Sequence, residues 1–313
     1  MQKIATVFGG TGFVGRHIIR RLAKVGYTVK VATRAAERAY FLRPYGTPGT
    51  IVPIVCDYSD SASIAAAIEH ANIVINCIGT LAPRGKNGFT RTHVEIPRNI
   101  AAASREAGVA RLIHISSLSA GRGESRYARS KGEGEGAVRQ EFPAAIILRP
   151  SVIFGPEDNF FNMFAELSRF TPALPLIGGD TKFQPVYVGD VADAVMAVIH
   201  EPDAAGRTFE LGGPDIVTFR DIYQQVFSAT GRRRCLIRLP FGIAKIQAAF
   251  LQMLPHPVLT VDQVETLKSD NIVSPGALTL ASLGISAKSM DGIVPGYLEY
   301  SRTGGKFADK KRA

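Results

Sequence analysis

The sequence predicts an α/β fold, a doubly wound parallel sheet with helices on both faces and a smaller C-terminal lobe. Three observations predict it. The chain opens on an apolar strand that runs through a glycine-rich turn into a helix. Apolar strand runs and amphipathic helical runs then follow one another. The 313 residues, 46% hydrophobic and 20% charged, suffice for a large core with a smaller one appended.

The first strand holds Ile4, Ala5, Val7 and Phe8, and it enters Gly9-Gly10-Thr11-Gly12-Phe13-Val14-Gly15. The spacing Gly9, Gly12, Gly15 is a relative of the Rossmann dinucleotide fingerprint. One glycine permits the tight turn, one lets backbone approach a pyrophosphate, and one packs helix on strand. The helix that follows (His17, Ile18, Ile19, Leu22, Ala23, Val25) aims its N-terminal N–H groups and positive dipole end at the turn, and a phosphate is the natural occupant. A second strand over 28–33 ends at Arg34, where an acidic residue would hold the ribose 2′-hydroxyl of NAD. Thr33 and Arg34 stand there instead, with Arg16 behind Gly15 and Arg38 nearby, which favours the 2′-phosphate of NADP(H).

A third strand over 50–55 leads to Cys56-Asp57-Tyr58, and a helix capped by Asp60 or Ser61 buries Ile64, Ala67 and Ile68. A fourth strand over 73–77 runs into Ile78-Gly79. Carboxyl ends of strands face the ligand crevice in this fold, so Asp57 either takes the adenine amino group or is a plain turn aspartate, and Gly79 lets the chain pass close to the cofactor. After a helix over 91–106, a fifth strand over 112–115 closes with Ser116-Ser117. Ten positions beyond Ser117 come Tyr127 and Lys131, four apart and so one helical turn apart. There an ammonium can depress a phenol's pKa and reach a ribose hydroxyl, and Ser117 can complete a proton-transfer site for a carbonyl or carbinol.

In the second half, 160–170 is helical, Pro172, Pro175 and Gly178-Gly179 break the chain, and Asp190 starts another helix, where an N-cap role suffices for it. A strand over 208–211 and a capping-box start at Thr218-Phe219-Arg220-Asp221 follow. Over 240–254, Ile243, Ile246, Phe250 and Met253 recur at helical spacing. Their stripe is either core or, given Arg234, Arg238 and Lys245 nearby, a partner or membrane-surface helix. The expected division is a nucleotide-binding domain over 1–155, completion of the sheet with a small lobe over 156–303, and a basic flexible tail over 304–313.

Thirty-seven Lys and Arg against 27 Asp and Glu leave a net charge of +10. With no nucleic-acid module and no aromatic interleaving of the basic clusters, that charge suits an anionic cofactor, with Arg232-Arg233-Arg234 and the tail (Lys306, Lys310, Lys311, Arg312) left as solvated surface or as contacts for an acidic partner or membrane. Cys56, Cys77 and Cys235 lie in apolar runs and read as buried thiols, and the histidines show no metal-ligand spacing. No membrane span or signal segment is expected.

Gly9 to Gly15, Asp57, Ser117 and the Tyr127/Lys131 pair resemble the extended short-chain dehydrogenase/reductase superfamily over roughly the whole chain. The run 125–131, the run through Arg149-Pro150-Ser151-Val152-Ile153-Phe154-Gly155-Pro156-Glu157-Asp158-Asn159, Val94-Glu95-Ile96-Pro97, and 259–264 with 268–271 are similar to one atypical branch. That branch is the nucleotide-binding accessory subunits of respiratory complex I (NADH:ubiquinone oxidoreductase). The resemblance implies a tightly held, structural NADPH, complex I subunits as partners, a possible membrane-surface contact through the C-terminal lobe, and a cytoplasmic-side or matrix-side peripheral location. It implies a cofactor set of Gly9, Thr11, Gly12, Phe13, Gly15, Arg16, Arg34, Arg38, Asp57, Gly79, Tyr127, Lys131 and Pro150. Ser117, Tyr127 and Lys131 are its catalytic residues if the chain is active. His93 stands where sugar-nucleotide epimerases carry asparagine, and the short Ser117-to-Tyr127 interval weakens an epimerase reading. A soluble NADP-dependent reductase or epimerase remains the alternative.

Overall fold

The computed structural model describes residues 3–82, 85, 88–254 and 259–302. The tail expected over 304–313 lies outside them. Seven parallel strands form one sheet: β1 (Ile4–Phe8), β2 (Thr28–Thr33), β3 (Ile51–Val55), β4 (Ile73–Asn76), β5 (Arg111–Ile115), β6 (Ile146–Pro150) and β7 (Thr208–Leu211). Their order is β7-β6-β5-β4-β1-β2-β3. The chain winds outward from β1 to β3, then returns to pair β4 on the other side of β1, so the topological switch lies between β1 and β4.

The pleat of β1 sends side chains to both faces. Ala5 and Val7 join a cluster with Ile18, Ile19 and Leu22 of α1 (Phe13–Lys24), and that cluster also takes in Val191 and Val195 from a later helix, Val188–His200. On the other face, Phe8 packs with Ile64 of α2 (Ser61–Ile68), Ile100 of α3 (Ile96–Glu106) and Val138 of α4 (Arg126–Glu141). Asp60 caps α2, accepting from Ala62 N and Ser63 N at 3.0 and 3.2 Å. The helix expected over 91–106 divides in two, because a π-helical turn at Arg91–Glu95 precedes α3.

A separate aromatic cluster gathers Phe154, Phe183 and the apolar faces of α5 (Phe161–Phe170) and α7 (Phe219–Thr230). Between those two helices in sequence lies α6 (Val188–His200), packed on α1. The Thr218/Asp221 capping box at α7 is formed. Asp190 is not the N-cap of α6, a place Tyr187 holds. It is the third helical residue, buried, and its carboxylate accepts Lys288 N at 2.7 Å. Two of the three clustered arginines have structural work: Arg232 and Arg234 donate to the Ala165 and Ser168 carbonyls at the end of α5, at 3.3 and 2.7 Å. Cys56 is buried, but Cys235 is exposed on a two-stranded sheet, against expectation.

α8 (Phe241–Leu251) and α9 (Val261–Thr266) pack together around Ile177, Ala244, Ala248 and Val264. The core alternative for the 240–254 stripe fails here. Ile243, Ile246, Phe250 and Met253 all point outward, Met253 81% exposed. The helix turns its alanines to α9 because small side chains allow the close approach. Last comes α10 (Met290–Leu298), packed on α7. Among the described residues no helix is long and apolar enough to cross a membrane, and no group of His, Cys, Asp and Glu could hold a metal.

Candidate functional site

The turn after β1 is built by contacts that exclude side chains. Gly9 has φ +74°, and a Cβ there would lie 2.9 Å from the Cys77 carbonyl carbon, so the ends of β1 and β4 touch through backbone. A Cβ on Gly15 would lie 2.4 Å from Gly9 O, and one on Gly10 would lie 2.6 Å from Ile19 Cδ1. Gly10, which the spacing rule passes over, is therefore a packing position too. Gly12 is the N-cap of α1, and no side chain caps it. The first N–H groups of α1 thus point into the crevice beside a glycine cradle, and this fits a dinucleotide's pyrophosphate. Thr11 and Phe13 flank the cradle. Thr11 O accepts Arg16 Nη2 at 3.2 Å, and the Phe13 ring packs edge-on against His17.

Arg16 braces the turn rather than standing free, because it also reaches Gly12 O and pairs with Glu157 at 2.5 Å. Arg34, just past β2, is exposed and forms no ion pair among the described residues; Arg38 is exposed one helical turn farther on. Asp57 accepts Ser59 N at 2.9 Å, the geometry of a turn aspartate, and that bond holds its carboxyl below the usual range. Gly79 lies past β4, where a Cβ would come 3.4 Å from Lys131 Nζ, and Pro150 is the buried last residue of β6.

The structure brings Ser117, Tyr127 and Lys131 to the ends of β4 and β5. Ser117 Oγ lies 2.9 Å from Ser119 Oγ. Lys131 Nζ is buried and donates to Ile115 O at 3.3 Å; burial pushes its pKa down to about 8. Burial pushes the Tyr127 phenol up and Ser117 pulls it partly back. On balance the phenol is raised, because burial outweighs the contribution of Ser117.

The model of the NAD dependent epimerase/dehydratase family matches residues 5–212, from β1 through the end of β7. The chain belongs to that family. This epimerase/dehydratase-family protein is 36% identical over 316 residues to "NADH dehydrogenase (ubiquinone) 1 alpha subcomplex subunit 9, mitochondrial" of Arabidopsis thaliana, covering 96% of this chain and 79% of that one. The mouse protein of the same name is 37% identical over 92% of this chain and 78% of its own. A "Ceramide reductase" of Caulobacter vibrioides is 30% identical over 76% of this chain and 74% of its own. Among solved structures, the NADPH-dependent quinone oxidoreductase QOR2 of Escherichia coli shares the fold with a TM-score of 0.74 at 19% identity, covering 94% of this chain and 99% of that one.

Two residues beside these elements carry more than the sequence reading assigned them. His93, from the π turn, accepts Thr80 N at Nε2 (3.2 Å), so its proton sits on Nδ1 and goes to Ser130 Oγ at 2.9 Å. Ser130 in turn donates to Tyr127 O at 2.9 Å. Burial and the Lys131 charge push the imidazole down to about 3, which keeps it neutral. His93 thus ties the loop after β4 to α4, its ring edge-on to Tyr127 at 5.4 Å. The signal in the sequence was Gly134, a glycine inside a helix. A Cβ there would lie 1.9 Å from His93 O. The second missed residue is Asp262, whose carboxylate meets the start of α4.

Proposed function

We propose that this chain is an NADP(H)-binding accessory subunit of NADH:ubiquinone oxidoreductase, in which the nucleotide is structural. The observation that carries the reading is the outward apolar stripe of α8, on a chain similar over 96% of its length to subunits of that complex. Ile243, Ile246, Phe250 and Met253 need a partner that the described residues do not supply. Arg238, exposed beside them, suits an anionic membrane face. The protein is then peripheral, on the inner face of the membrane and on the matrix side if mitochondrial. Residues 1–155 bind the nucleotide and 156–303 present the docking face.

NADP(H) is preferred over NAD because β2 ends in an exposed arginine rather than a carboxylate. Gly9, Gly12 and Gly15 admit the pyrophosphate, Arg34 takes the 2′-phosphate with Arg38 as the outer contact, and Tyr127 and Lys131 meet the nicotinamide ribose. A bound nicotinamide supplies hydride chemistry. A structural role needs only affinity: a ligand at about 100 times its dissociation constant adds about 2.7 kcal/mol to the folded state.

The assembled Ser117, Tyr127 and Lys131 favour a second reading, a soluble NADP-dependent reductase or epimerase. There Tyr127 exchanges the proton at the carbonyl oxygen, Ser117 orients it and Lys131 supports the ribose. Native-gel separation of mildly solubilised membranes from the source organism tests the two. Co-migration with NADH:ubiquinone oxidoreductase activity, with releasable NADPH, is expected. A chain that never associates with membranes, and whose carbonyl reduction is abolished by Tyr127→Phe, would establish the second reading instead.

A further inference from the structure

The N-terminus of α4 is closed by two side chains, one its own cap and the other from a distant part of the chain. Its leading N–H groups, on Arg126, Tyr127 and Ala128, precede the first intrahelical bond, Arg129 N to Ser125 O at 3.1 Å. Ser125 Oγ accepts from Ala128 N at 3.1 Å. The other two go to one carboxylate on α9: Arg126 N donates to Asp262 Oδ1 at 2.6 Å, and Tyr127 N donates to Oδ2 at 3.0 Å. Ser125 alone makes a competent cap, so nothing local requires a residue more than 130 positions away.

Asp262 is held where it is by its own helix. Thr260 Oγ1 accepts from Gln263 N at 3.2 Å and Gln263 Oε1 accepts from Thr260 N at 2.9 Å, a closed capping box around it. One turn on, Glu265 pairs with Lys245 of α8 at 2.7 Å. Continuous contacts therefore run from α8, the helix with the outward apolar face, through α9 to the backbone of Tyr127. The Tyr127 carbonyl in turn receives Ser130 Oγ.

We propose that Asp262 is a positioning residue that sets the start of α4, and with it Tyr127 and Lys131, so that nucleotide binding and the packing of α8 and α9 are thermodynamically coupled. This rests on the nucleotide-binding reading of the site. The coupling is reciprocal: a nucleotide that immobilises Tyr127 steadies α9, and release of α9 weakens the nucleotide. The carboxylate also places a negative charge at the positive end of α4.

The test uses the full chain, NADPH fluorescence titration and amide hydrogen exchange. In the wild type, NADPH slows exchange over 259–268 as well as over 126–131. Asp262→Ala weakens NADPH about fivefold, equivalent to about 1 kcal/mol at 1.4 kcal/mol per tenfold, and abolishes the effect over 259–268. Asp262→Asn keeps one acceptor oxygen but turns its NH2 toward the second N–H and loses the charge, so its affinity falls between those of the wild type and Asp262→Ala. A merely structural aspartate would lower the melting temperature and leave the nucleotide-dependent exchange difference in place. Wild-type α9 indifferent to NADPH, or Asp262→Ala binding as tightly as wild type, overturns the proposal; if that variant does not fold, the wild-type exchange result decides alone. A wild type that binds no NADPH at all overturns the nucleotide reading, and the coupling with it, before any variant is made.

Discussion

α1 and α8 are both helices with apolar residues at spacings of three and four, and they dispose of them in opposite ways. Ile18, Ile19 and Leu22 of α1 are wholly buried, pressed between the sheet and α6. In α8 the buried positions are Ala244 and Ala248, while Ile246 and Phe250 are 63% and 69% exposed. Helical periodicity shows that a helix has an apolar face. It does not show that the same chain covers it. α1 follows β1 through a tight turn and is obliged to lie on the sheet. α8 is anchored through its small residues, a second and narrower face that leaves the large one outward.

The contrast breaks most directly at Leu22. Leu22→Ala is expected to lower the unfolding free energy by about 2 to 5 kcal/mol, read from urea midpoints at constant slope; a loss under about 1 kcal/mol would mean α1 is not the buried member of the pair. Gly15→Ala comes next. Its Cβ meets the Gly9 carbonyl, so a loss of about 1 to 3 kcal/mol is expected together with nucleotide affinity weakened at least tenfold by titration. Unchanged affinity would remove the glycine cradle from the site.

His93 sharpens the comparison through pH. Its folded-state pKa of about 3 lies below the unfolded 6.5, so the unfolded chain binds the extra proton between those values. Its contribution is complete above pH 6.5 and is lost as pH falls toward 3, at about 1.4 kcal/mol per pH unit. Urea unfolding at pH 7 and pH 5 should show the wild type weaker at pH 5. His93→Asn should flatten that slope, though not abolish it, because buried His114 is depressed as well. The smallest effect belongs to α8. Phe250→Ser should change the unfolding free energy of the isolated chain by no more than about 0.5 kcal/mol while reducing co-migration with the respiratory complex on native gels. A large loss of stability would place Phe250 in a core.

Much of the nucleotide-binding half is local, and so it was legible. Gly9, Gly12 and Gly15 take up their roles within seven residues, Asp60 caps the helix it precedes, and Tyr127 and Lys131 face one way because of helical geometry. Asp190 was misjudged because an aspartate near a helix start reads as a cap, whereas the Lys288 N–H that claims it lies 98 positions on. The π turn escaped notice because it leaves no compositional mark beyond Gly134, whose purpose appears only when His93 O is brought against it. The phenol of Tyr127 likewise depends on burial and on Ser117, and neither follows from a spacing of four.

By itself the sequence determined what depends on neighbours along the chain: the β1 turn and its glycines, the strand and helix periods, the missing acid at the end of β2, and the partners within one helical turn. Tertiary structure alone decided which apolar faces find cover, where buried charges pair, and that one carboxylate of α9 holds the start of α4. The physical reason is reach. Backbone geometry and capping act over about four residues, whereas burial and desolvation are set by whatever the whole chain brings to the spot.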